Sequence, residues 1–124
     1  MRRRAATLVS LALLAVAGPA AGAGGQPPQI PRVPGTWTHI EMNVTIRHVP
    51  HTIILDRGRI LQVTTTQLTV REGAGVNQVI PITAQTLVTV DGTRASIFDL
   101  RRRISVTTMR IDGGDAVRVR ASSV

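Results

Sequence analysis

From Trp37 onward the chain alternates apolar and polar residues in short runs, the two-residue period of half-buried strands. In the first run Ile40, Met42, Val44 and Ile46 fall on one side, and His39, Glu41, Asn43 and Thr45 on the other. Val49-Pro50 interrupts the run and Thr52 to Leu55 resumes it. Asp56-Arg57-Gly58-Arg59 reads either as a tight turn or as a bulge that bends one long strand. Strands are expected at Ile60 to Val63 and Gln67 to Arg71, joined by three threonines, with Leu61, Val63, Leu68 and Val70 on the buried face. Gly73 to Asn77 reads as a loop, and Gln78 to Ile82 as a strand that Pro81 confines to an edge or a bulge.

The stretch from Leu87 to Leu100 organises the rest. A strand, Leu87 to Val90, runs into an Asp91-Gly92 turn, and Ser96-Ile97-Phe98-Asp99 then has the S-x-x-D spacing of a capping box. The capped helical turn is expected to drop Phe98 and Leu100 into the core, with Ser96 and Asp99 holding it. Beyond Arg101-Arg102-Arg103 lie a strand from Ile104 to Ile111, the hairpin signal Asp112-Gly113-Gly114-Asp115, and a closing strand from Ala116 to Ala121. The expected fold is therefore all-β: a small OB-like, Greek-key barrel of five to seven strands over residues 36–121, with one short helical turn. Closure would remove the exposed sheet edges; an open sandwich is the alternative.

Composition supports the strands. The chain has 124 residues, room for one small domain, and only Trp37 and Phe98 are aromatic, so the core must be built from Val, Ile and Leu. It has no cysteine, which excludes disulfides, thiol chemistry and a lipid-modified cysteine anchor. All fifteen basic residues are arginine.

The N-terminus reads as an export signal over residues 1–23. Met1-Arg2-Arg3-Arg4 precedes an apolar segment too short to span a bilayer, and Ala21-Gly22-Ala23 is the expected cleavage site. An uncleaved anchor is the alternative. The mature protein is thus expected to be secreted or periplasmic, without a transmembrane helix. Residues 24–35 carry four prolines and read as an extended linker. Removing the signal takes three arginines, leaving twelve against seven acids, a charge of +5 rather than +8.

From Asp56 onward the order of signals resembles a group of small secreted bacterial domains of unknown function with an OB-like barrel. The likeness lies in Asp56-Arg57-Gly58 leading into a strand, Leu68-Thr69-Val70, Thr86 to Gly92, Ala95 to Leu100, and the final Asp-Gly-Gly hairpin. It departs at Arg101 to Arg103, where such domains turn on glycine. The resemblance implies a fold and carries no activity with it.

Two constellations could carry chemistry. His39, His48 and His51, with Glu41 nearby, would form a copper or zinc site if the Val49-Pro50 turn folded them together. Arg94, Arg101, Arg102, Arg103, Arg118 and Arg120 would form a positive patch suited to an anionic envelope polymer, a lipid surface or an acidic protein. Nucleic acid is disfavoured, because single-strand binding needs aromatic platforms that two rings do not supply. No catalytic residues are expected: there is no nucleophile elbow, cysteine or lysine, and the acids fall at turns. No cofactor is expected either. The leading expectation is a non-enzymatic binding module of the cell envelope; a histidine-based metal-binding protein is the alternative.

Overall fold

The computed structural model describes residues 27–123. The expected signal, residues 1–23, and the start of the linker lie outside them. Eight strands are formed: β1 (His39–Ile46), β2 (Val49–Val63), β3 (Gln67–Glu72), β4 (Val76–Pro81), β5 (Leu87–Val90), β6 (Thr93–Ala95), β7 (Ser105–Ile111) and β8 (Ala116–Ser122). The only helical pieces among the described residues are two three-residue 3-10 turns, Gly73–Gly75 and Ile97–Asp99. No helix among them is long and apolar enough to cross a membrane.

β2 is the spine. Its first half pairs with β1 from His39 opposite Asp56 to Ile46 opposite Val49. Its second half pairs with β3 from Arg59 opposite Arg71 to Val63 opposite Leu68, and β7 runs along the other edge. β1 and β3 therefore share one edge of β2 and meet at Arg57 and Gly58. The Asp56–Arg59 segment is continuous strand at this fork rather than a turn. Gly58 is required there, because a Cβ would lie 2.2 Å from the Arg71 carbonyl oxygen.

Across the sheet the order is β4-β3-β2-β7-β8-β5-β6, antiparallel except where β5 lies parallel to β8. Among the described residues no ladder joins β4 to β6, so the sheet is open and the closed barrel does not form. The sheet is nonetheless strongly curled, because Leu68, Val70 and Ile80 from one wing share a core with Val88, Val119 and Ala121 from the other. Curling lets a small sheet bury one face without a second layer.

A second core occupies the opposite face. Ile53, Leu55 and Met109 are covered there by Ile30, with Val33, Trp37, Ile40 and Met42 around them. The proline-rich segment is extended, as its prolines require, and from residue 27 on it lies against the sheet as a strap. Arg118 ties it down, donating from Nε to the Pro28 carbonyl at 2.8 Å and from Nη2 to the Pro27 carbonyl at 2.9 Å. The Trp37 indole N–H donates to the Val33 carbonyl at 3.0 Å.

Three hairpins turn on two residues with positive φ: Arg47-His48, Asp91-Gly92 and Asp112-Gly113. Such turns match the right-handed twist of the strands they join. Asp91-Gly92 connects β5 to the short β6, which the sequence pattern did not separate from the capped turn. The expected loop at Gly73 to Asn77 shortens to a 3-10 turn, and β4 already begins at Val76.

Two burial expectations are corrected. A register shift between Ile60 and Gln62 reverses the phase of β2, so Ile60 is fully buried and Leu61 only half-buried. The capped turn forms: the Ser96 hydroxyl accepts from the Phe98 N–H at 3.2 Å, and the Asp99 carboxylate accepts from the Ser96 N–H at 2.9 Å. Leu100 is buried, but Phe98 is 79 % exposed. Residues three apart eclipse in a 3-10 turn, so Ile97 and Leu100 share its inner side and Phe98 faces water.

Candidate functional site

Arg57 and Arg59 alternate along β2 with Leu55 and point to the face of the second core, beyond the edge of the strap. Arg71 stands directly opposite Arg59 in the β2–β3 ladder. Thr107 of β7 is paired to Arg57 on one side and to Arg120 of β8 on the other. One face of the sheet thus carries Arg57, Arg59, Arg71 and Arg120 around a cleft of about 720 Å³, with Trp37 at its rim. The Arg57 guanidinium lies over the Trp37 ring, 4.0 Å from its centre.

These four arginines have no carboxylate within 4 Å among the described residues, where the ion pairs involve His39, His51 and Arg110 instead. Like charges directly opposite in a ladder cost stability, as Arg59 and Arg71 are. Burial lowers the pKa of Arg120, and repulsion from Arg32 and Arg57 adds to it. The cleft is a concentration of positive charge held together by the sheet; Glu72 and Asp91 also line it, but neither is within ion-pair distance of the four arginines.

The sequence-level patch is only partly assembled. Arg120 lines the cleft, and Arg94 flanks it across Thr89, two strands away on the same face. Arg118 is used internally by the strap, and burial together with the neighbouring Arg94 lowers its pKa. Arg101, Arg102 and Arg103 are exposed on the connection into β7. Arg102 lies beside a separate recess with Leu61, Val63 and Leu100, and Arg103 is joined to the cleft only through its carbonyl, which accepts from Arg59 at 2.8 Å. Arg57, Arg59 and Arg71 were missed because Asp56-Arg57-Gly58-Arg59 was left open between a turn and a bulge in one long strand, and because Arg71 meets Arg59 only through the β2–β3 register.

The histidines are not brought together. His39 opens β1 and His48 lies in the hairpin beyond its far end, about 25 Å away at strand rise. His51 is taken by Asp112, Nδ1 to Oδ2 at 2.6 Å, and the Thr52 N–H donates to the same carboxylate. Those two contacts, the backbone one first, hold the Asp112 pKa below its ordinary value. The structure therefore does not group His39 with His48 and His51.

His39 belongs instead to a polar cluster at the fork of β2. Its Nδ1 is 2.6 Å from Oδ1 of the fully buried Asp56, and its Nε2 is 3.0 Å from Oε2 of Glu41. Glu72, 6 % exposed at the end of β3, brings a second carboxylate beside Asp56, and Arg110 approaches Asp56 at 3.5 Å. One ligand atom from each of His39, Asp56 and Glu72 lies within 4.8 Å of the others. Burial, and then the neighbouring Asp56, pushes the Glu72 carboxyl up to about 7. The contacts with Asp56 and Glu41 raise the His39 pKa against the effect of burial. Asp56 was read as a turn residue; an acid inside an apolar strand was the signal available.

Comparison with family models, curated proteins and solved structures finds no match for this chain.

Proposed function

We propose that this protein is an exported, non-enzymatic binding module whose arginine cleft receives an anionic group of an envelope polymer or partner protein. The observation that carries the reading is the convergence of Arg57, Arg59, Arg71 and Arg120 on one cleft, with no carboxylate within 4 Å of them among the described residues. Arginine forks suit phosphate and carboxylate oxygens, and a ligand anion would relieve the repulsion the sheet otherwise bears. Trp37 adds a flat apolar wall. Export rests on the signal-like residues 1–23. The curled sheet, with its capped turn between β6 and β7, favours an opened relative of the OB-like barrels of small secreted bacterial domains.

Trp37 is the only tryptophan, so its fluorescence reports the cleft directly. Titrating the purified chain with tripolyphosphate at low salt should give a saturable change that weakens as salt is added. Arg59→Ala, Arg71→Ala and Arg120→Ala should each weaken binding about tenfold, the loss of one charge-assisted contact. Reversal of Arg101, Arg102 and Arg103 to Glu should leave the affinity within about threefold. A titration without saturation, or one insensitive to the three cleft variants, overturns the reading.

A further inference from the structure

The cluster at the β2 fork is unusual for a protein interior. Asp56 and Glu72 are both buried, carry the same charge when ionised, and are drawn from strands β2 and β3. Burying two carboxylates side by side is costly unless a positive group lies between them. Arg110 reaches only one of them, at the long distance of 3.5 Å. Among the described residues three buried side-chain atoms have no hydrogen-bond partner: Oε2 of Glu72, Oγ1 of Thr108 and Nε of Arg110. Thr108 is 0 % exposed and directly opposite Asp56 in the β2–β7 ladder, on the same face. An oxygen of this kind beside a carboxylate pair points to an absent ligand that would satisfy it, since buried polar atoms are otherwise paired.

We propose that His39, Asp56 and Glu72 form a binding site for a divalent first-row transition ion, with zinc the best fit. One imidazole nitrogen and two carboxylate oxygens are a mixed donor set of the kind such ions take, whereas calcium and magnesium favour oxygen alone. Ligand atoms about 2.1 Å from a tetrahedral ion lie roughly 3.4 Å apart, so the present 4.8 Å envelope must draw in by side-chain movement when the ion binds. The His39–Asp56 contact of 2.6 Å opens as the ion replaces its proton.

The surroundings suit this role. Glu41 lies at the other ring nitrogen of His39, 3.0 Å away, the carboxylate–histidine arrangement that fixes a ligand's tautomer and directs its free nitrogen to the metal. The His39 side chain is 40 % exposed and Glu72 lines the arginine cleft, so an ion can enter from solvent. The site also fastens β1 to β3 across the fork, where no backbone ladder links them. This inference stands independently of the anion reading, because none of the three metal ligands is an arginine of the cleft.

Isothermal titration of the full chain with zinc chloride at pH 7.5, after stripping with chelator, tests it. The expected result is one equivalent bound, with calcium and magnesium at least a hundredfold weaker. Glu72→Gln keeps the shape of the side chain and removes one buried charge, so it should fold; it should weaken zinc at least tenfold. His39→Ala should weaken it at least a hundredfold, and Glu41→Gln should weaken it severalfold without abolishing it. His48→Ala and His51→Ala together should leave the affinity unchanged. The site is overturned if zinc fails to bind, if Glu72→Gln binds as tightly as the parent, or if the His48 and His51 changes remove the binding.

Discussion

Glu72 ties stability to pH more directly than any other residue. Its carboxyl holds a proton up to about 7, mainly through burial, against 4.5 for an ordinary glutamate. A carboxyl protonated more readily when folded stabilises the fold in acid: the contribution is complete below 4.5 and lost as pH rises through about 7. The whole effect is at most about 3 kcal/mol. His39 acts in the same direction, its stabilisation complete below 6.5 and lost as pH rises past its raised folded value. Asp91 and Asp112 act oppositely, because their lowered pKa values favour the fold above 3.8 and that benefit is lost on acidification. In chelator the urea midpoint should therefore be highest near about pH 4 to 5 and fall towards pH 8. Glu72→Gln should flatten that slope; a parent chain more stable at pH 8 than at pH 4.5 would contradict the account. The capped turn gives a second contrast at this scale. Ser96→Ala should cost about 1 kcal/mol through the lost cap. Phe98→Ala, despite removing a whole ring, should change stability by no more than about 0.5 kcal/mol, because the ring is in water.

At the scale of elements, the fork in β2 and the strap are the two devices that shape the molecule. Gly58→Ala places a methyl group against the Arg71 backbone, which cannot rotate away, so β1 or β3 must detach from β2. A loss of more than about 4 kcal/mol, or no folded protein, is expected from a thermal melt. The strap is tested by Ile30→Ala, which removes its one buried anchor and should cost about 2 to 4 kcal/mol. A free tether would show no change. Strands and Asp-Gly turns were legible in the sequence because both are local: alternation over a few residues, and a dipeptide that accepts positive φ. The Arg47-His48 turn was not, since neither residue favours that conformation and only the pairing of β1 with β2 imposes it. The phase of Leu61 was hidden by a bulge, and the burial of Phe98 was misjudged because the capped segment makes a 3-10 rather than an α turn. The cleft and the fork cluster were illegible for one reason. Their members come from β1, β2, β3, β7 and β8 and meet only through register between strands.

For the molecule as a whole, the two cores lie on opposite faces of the same pair of strands. β2 and β7 contribute Ile60 and Val106 to one core and Leu55 and Met109 to the other. The central pair is therefore covered on both faces where the cores overlap and flanked by strands on both edges. Among the described residues β1, β4 and β6 each have one unpaired edge, and Val76 and Val79 of β4 are about half exposed. Opening should begin at these margins and reach β2 and β7 only with global unfolding. Amide hydrogen exchange should accordingly be slowest in β2 and β7, intermediate in β8 and β3, and fastest in β6 and the outer edges of β1 and β4. A closed barrel makes a different prediction, since β4 and β6 would then each have two bonded neighbours. Protection of β4 and β6 equal to that of β2 would mean that the two edges meet in solution, and that the closure expected from the strand pattern is reached after all.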